Sequence, residues 1–91
     1  MAFQVKRNRV EILGDILEVL KRQNNIRLIR ISYGANLPFD RAKKLMETLT
    51  TSGLVGINRN EGIVTYHITT RGLEFLEVQK KMFGFLEELK E

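Results

Sequence analysis

At 91 residues, with 43% apolar and 29% charged residues and no cysteine, the chain reads as one soluble globular domain without a disulfide framework or a thiolate metal site. No stretch approaches the roughly 20 apolar residues needed to span a bilayer, and the basic cluster within Met1 to Arg9 is not followed by an apolar run of signal-peptide kind. The net charge is +4, yet residues 1–72 hold 12 Lys/Arg against 6 Asp/Glu while residues 73–91 hold 3 Lys against 5 Glu, so the positive field belongs to the body and favours a polyanion partner there.

Met1 to Arg7 reads as a short arm carrying Lys6 and Arg7, with Arg9 just after it. Asn8 followed by Glu11 fits a helix cap with its reciprocal carboxylate, and a first helix is predicted from about Arg9 to Gln23. Val10, Leu13, Leu17 and Leu20 form one apolar stripe, and Ile12, Ile16 and Val19 a second beside it, so this helix is expected to be covered on more than one side. Gly14 inside it costs about 1 kcal/mol of helix propensity relative to Ala, which predicts the close approach of another backbone. Asn24 and Asn25 end the helix, because Asn tolerates the left-handed conformation.

Ile26 is read as an edge β residue and Leu28 to Tyr33 as a second, short helix. The turn Gly34-Ala35-Asn36-Leu37 leads to Pro38, which suits the first positions of a third helix running to about Ser52. In that helix Phe39, Ala42, Leu45, Met46 and Leu49 are expected to face inward, and Arg41, Lys43, Lys44, Glu47 and Thr48 outward. Gly53 stops it. A strand from Leu54 to Ile57, a polar tip Asn58-Arg59-Asn60-Glu61-Gly62 and a strand from Val64 to Ile68 make a hairpin, and Thr69 caps a last helix reaching to near Leu89. Helix, hairpin, helix in this order is the pattern of a winged helix-turn-helix. The fold class is therefore α+β, three helices and a β-hairpin wing, with a C-terminal amphipathic helix.

That last helix carries Phe75, Val78, Met82, Phe85 and Leu89 at spacings of three and four, with Leu73, Leu76, Phe83 and Leu86 as a flanking row. The stretch from Met82 to Leu89 extends beyond what a small domain covers, and an uncovered apolar patch asks for a partner. Self-association through this helix is expected, against the alternative that it folds back onto the first helix. The expected division is residues 1–72 as the binding domain with its basic arm and residues 73–91 as the dimerisation helix.

Enzyme chemistry is not indicated. His67 is the single histidine, so no two-histidine or thiolate metal site exists within one chain, and neither a metal nor a cofactor is expected. No motif surrounds His67, which reads as a strand-surface residue. The glycines lack phosphate-loop spacing, and Glu87-Glu88 is a solvated pair rather than a catalytic dyad. Tyr33, Phe39 and Tyr66 sit within apolar stripes, which favours core packing over base stacking.

A helix entering the major groove needs outward side chains that neutralise phosphates and reach base edges. Arg41, Lys43, Lys44 and Thr48 meet that need, with Arg59 at the wing, Arg27 and Arg30 on the second helix, Ser32 and Asn36 near the turn, and Lys6, Arg7 and Arg9 as an auxiliary arm. Asp40 and Glu47 would be repelled by phosphate, which makes the third helix an oriented surface rather than a uniform cationic rod.

Two segments carry a family resemblance. Ile31-Ser32-Tyr33-Gly34-Ala35-Asn36-Leu37 is similar to a helix-turn segment of small archaeal winged-helix DNA-binding proteins of about ten kilodaltons, which are chromatin-associated or transcription-regulator-like. The stretch from Thr65 to Leu76 resembles their second wing strand and the start of their final helix, although its Thr-x-x-Gly-Leu-Glu entry is common to many winged helices. The resemblance runs from about Asn8 to the end. It implies that the third helix is the recognition helix and that the last helix pairs antiparallel with its twin. The chain departs from that family in two places. Its last helix ends soon after Leu89, short of the family's long coiled-coil arms, which implies a compact or weaker dimer, and Pro38 stands where a Ser cap is common.

The expected function is double-stranded DNA binding by a homodimer, as a transcriptional regulator or chromatin-associated protein in the cytoplasm, at the nucleoid. The dimer interface is expected to comprise Phe75, Val78, Met82, Phe83, Phe85, Leu86 and Leu89. The rival is a winged-helix protein-interaction module that does not touch DNA.

Overall fold

The computed structural model describes residues 7–89. Four helices and one hairpin follow in the order α1 (Arg9–Arg22), α2 (Leu28–Gly34), α3 (Phe39–Thr51), β1 (Val55–Asn60), β2 (Ile63–Ile68) and α4 (Thr70–Glu88). The core lies where α1, α2, α3 and the base of the hairpin converge. Ile16, Leu17, Leu20, Ile31, Met46 and Leu49 are its largest fully buried side chains.

The start of α1 follows from its first residues. Asn8 Oδ1 accepts from the Glu11 amide at 2.8 Å, and Glu11 Oε1 accepts from the Asn8 amide at 3.1 Å, so two orphan donors are satisfied reciprocally. The deeper stripe is Ile12, Ile16 and Val19 together with Leu17 and Leu20, while Leu13 is half-buried and Val10 is exposed. Asn25 adopts φ 60° and turns the chain out of α1. Ile26 then pairs with Tyr66, donating to its carbonyl at 3.3 Å and accepting from its amide at 2.9 Å, which adds a one-residue third edge to the hairpin.

Gly34 closes α2 against α1. A Cβ there would stand 2.9 Å from Val19 Cγ1, so a larger residue would push the helices apart. Asn36, at φ 56°, makes the turn, and the Leu37 amide donates to Ser32 O at 2.9 Å. Pro38 is the residue before α3 rather than its first residue, and no side chain caps this end. The exit of α3 is a Schellman motif. Gly53 has φ 79°, its amide donates to Thr50 O at 3.1 Å, and the Leu54 amide donates to Leu49 O at 3.0 Å.

β1 and β2 are antiparallel in a register running from Val55 opposite Ile68 to Asn60 opposite Ile63. The expected five-residue tip is shorter here. Glu61 and Gly62, at φ 51° and 80°, form a two-residue connection whose left-handed residues match strand twist, so pairing continues through Asn58, Arg59 and Asn60. Thr69 enters α4 as a hub. Its hydroxyl accepts from the Gly72 amide at 3.1 Å and donates to Gly53 O at 2.7 Å, and its amide donates to Leu54 O at 3.2 Å.

Two aromatic residues depart from the core placement expected of them. Tyr33 is 80% exposed because it lies two residues past Ile31, about 200° around α2 from the buried line. Phe39 is 45% exposed because a side chain at the first helical position leans back past the helix end. Tyr66 does pack against the core, half-buried. Gly14 admits a side chain rather than a backbone. Gln79 of α4 lies where its Cβ would be, and Gln79 Nε2 donates to Val10 O at 2.8 Å.

Candidate nucleic-acid interface

The surface of α3 is set by its buried row. Ala42, Leu45, Met46 and Leu49 fix one side to the core, and a rotation of about 100° per residue then assigns every other position. Asp40, Lys44, Glu47 and Thr51 run along the outward midline, with Arg41 and Thr48 on one flank and Lys43 on the other. All seven are exposed. Lys44, Glu47, Thr48, Thr51 and Ser52 line a shallow depression along this face.

Arg9 joins the flank, its Nη2 donating to Thr48 Oγ1 at 3.5 Å. Asn36 stands exposed at the turn into α3. Arg30 projects from α2, Arg27 is the extended residue just before α2 rather than on it, and Arg59 stands exposed on β1, opposite Val64 and one pair from the tip. Among the described residues Arg27, Arg30, Arg41, Lys43, Lys44 and Arg59 have no ion-pair partner. These cations are free to meet an external anion.

Two sequence assignments change. Ser32 is 3% exposed and its Oγ donates to Ile29 O at 2.8 Å, so the hydroxyl serves α2 and does not face solvent. Arg7 is committed internally rather than free in an arm. Its Nη1 pairs with Asp15 Oδ2 at 2.7 Å and donates to Ala35 O at 2.9 Å, and its Nη2 donates to Asn36 O at 3.0 Å. The guanidinium thus caps the carbonyl end of α2 and ties it to α1. Lys6 lies outside the described residues.

The hairpin is braced by Asn24 and Asn25, the residues at which the sequence predicts the end of the first helix. Asn58 Nδ2 donates to Asn25 Oδ1 at 2.7 Å, and Asn24 Oδ1 accepts from the Ile68 amide at 3.0 Å. The only advance signal is an Asn-Asn pair facing a hairpin with its own Asn. His67 lies across the hairpin from Gly56, where a Cβ would overlap the imidazole, and its buried Nδ1 has no hydrogen-bond partner among the described residues. Among the described residues no three His, Asp or Glu side chains cluster in a way that could hold a metal ion.

α4 has two halves. Gly72 and Leu76 are buried, Phe75 is half-buried against the chain's own core, and Gln79 reaches α1. Beyond Gln79 the described residues are all exposed. Val78, Met82, Phe83, Phe85, Leu86 and Leu89 form the uncovered apolar face, with Phe85 65% and Leu89 77% exposed. No described helix is long and apolar enough to cross a membrane.

Residues 6–87 match the winged helix-turn-helix family. The chain belongs to that family. Its α2 and α3 are the helix-turn-helix, and β1–β2 is the wing. An uncharacterized protein of Methanocaldococcus jannaschii, MJ0287, is 29% identical over 86 residues, covering 94% of this chain and 76% of that protein. The winged helix superposes on Sso10a-2, a DNA-binding protein from Sulfolobus solfataricus, with a TM-score of 0.80 at 25% identity, over 91% of this chain and 85% of that one. It also superposes on MepR, a transcription regulator of the Staphylococcus aureus multidrug efflux pump MepA, with a TM-score of 0.72. There the identity is 17%, and the match spans 86% of this chain and 60% of MepR, a likeness of fold alone.

Proposed function

We propose that this chain binds double-stranded DNA through α3 and the wing, as a homodimer joined by the outer half of α4, and that it acts as a transcriptional regulator or a nucleoid-associated chromatin protein. The observation that carries this reading is the set of exposed cations Arg41, Lys43 and Lys44 on α3, unpaired among the described residues, flanked by Arg9 and Asn36, with Arg59 on the wing. Arg27 and Arg30 extend the set toward the duplex backbone. The likeness to Sso10a-2, described as DNA-binding, supports it.

Leu76 and Gln79 rest on the body, so the associating face is drawn from Val78 and the exposed residues beyond Gln79. A mobility-shift titration at several salt concentrations tests the DNA reading. Each phosphate contact contributes about 0.9 to the slope of log K against log salt. Lys43→Ala with Lys44→Ala should therefore weaken binding and lower that slope by about 2. Unchanged affinity and slope would remove α3 from the interface.

The apolar half of α4 also suits the rival, in which another protein covers it and DNA plays no part. A duplex left unshifted even at low salt would favour that rival.

A further inference from the structure

Glu47 is the residue of α3 that a simple phosphate-binding surface does not explain. Asp40 has a structural reason to be acidic, because it lies in the first turn of α3, where the positive end of the helix dipole stabilises a carboxylate. Glu47 lies in the C-terminal half, where the dipole opposes it. Lys43 precedes it by four residues, the less favourable order for a helical ion pair. Among the described residues Glu47 pairs with neither Lys43 nor Lys44. Its side chain is exposed on the outward midline, among the residues that line the depression on α3. Against phosphate alone this carboxylate lowers affinity.

We propose that Glu47 is a specificity-determining residue, accepting a hydrogen bond from the N4 amino group of a cytosine in the major groove. The inference rests on the DNA-binding reading above and adds to it a base that is read. Major-groove edges offer two amino donors, cytosine N4 and adenine N6. Adenine carries the N7 lone pair beside its amino group, which repels the second carboxylate oxygen. Cytosine has only a C–H there, so it is the better partner for a carboxylate. Lys44 lines the same depression, and its ammonium offsets the local negative field that would otherwise keep a carboxylate away from the duplex. Arg41 and Lys43 on the flanks remain for the backbone on either side.

The test is selection of binding sites from a pool of random duplexes by the full chain, by Glu47→Gln and by Glu47→Ala. The wild-type chain should enrich cytosine at one fixed position, by roughly fivefold or more over the other bases. Gln pairs bidentately with adenine, so Glu47→Gln should change the preference at that same position from cytosine to adenine. Glu47→Ala should leave that position without preference while the others hold. A wild-type pool retained without any base preference overturns the inference and leaves DNA binding intact. So does a cytosine preference that survives both substitutions. A pool not retained at all, even at low salt, overturns the DNA-binding reading and this inference with it.

Discussion

The side-chain amide of Gln79 lies over Gly14 and donates to Val10 O at 2.8 Å, so α4 is fastened to α1 where it leaves the body. Gly14→Ala gains about 1 kcal/mol of helix propensity and forces Gln79 aside, losing a hydrogen bond of about 1 kcal/mol. In the wild-type background the two should offset, with little change in the denaturation midpoint. In a Gln79→Ala background the same substitution should stabilise by about 1 kcal/mol. A double-mutant cycle in urea measures the coupling, and equal effects in both backgrounds would refute the contact.

Gly72 presents the opposite case. A Cβ there would overlap Leu54 O and stand 2.7 Å from Ile68 Cγ1. The Leu54 carbonyl is held by the Thr69 amide and cannot swing away as a Gln side chain can. Gly72→Ala should therefore destabilise the fold by a net amount of about 2 kcal/mol despite its better propensity. Calorimetry should show the loss as a lowered Tm, and a Tm at or above wild type would contradict it.

Arg7 is expected to act on folding rather than on DNA. Arg7→Ala removes one ion pair and two carbonyl contacts, which are partly exposed and so contribute modestly. A loss of about 1 kcal/mol should lower Tm by roughly 5 °C in a domain this small. The salt slope of DNA binding should stay at the wild-type value. A reduced slope with unchanged Tm would return Arg7 to the interface.

Arg59 offers a separate probe of the wing. Arg59→Ala should weaken DNA binding and lower the salt slope by about 1, with unfolding unchanged because the side chain is exposed. The matched Arg59→Lys variant should retain the slope.

Phe85 is the test of self-association. It is exposed on the described chain, so Phe85→Ser should leave monomer folding intact while weakening the dimer. Sedimentation velocity across a range of concentrations should show the substituted chain shifted toward monomer, as should a chain truncated after Gln79. A truncated chain that still sediments as a dimer would place the interface elsewhere.

Much of the fold is legible in the sequence because its signals are local. Asn8 with Glu11, Gly53 and Thr69 each mark a helix end through bonds made within a few residues, and all three mark it where expected. The apolar periods of α1 and α3 identify the core-facing rows but not where each row ends, which is why Val10 and Phe39 emerge at helix starts. Tyr33 escapes because a seven-residue helix offers too few positions to define a buried face. The site divides in the same way. The outward cations of α3 follow from helical spacing. Arg7 and Ser32 do not, since one finds carbonyls 28 and 29 residues away and the other turns its hydroxyl onto its own helix. The Asn25–Asn58 brace joins residues 33 apart and leaves no periodic trace.

The Arg7 clamp has a practical reading for anyone trimming this domain. A shortened chain beginning at Asn8 would keep every helix and strand, together with the capping box of α1. It would nonetheless lose a side chain that stitches the start of the domain to the corner between α2 and α3. Boundaries drawn at the first helical residue would yield a protein with an intact outline and a looser helix-turn-helix.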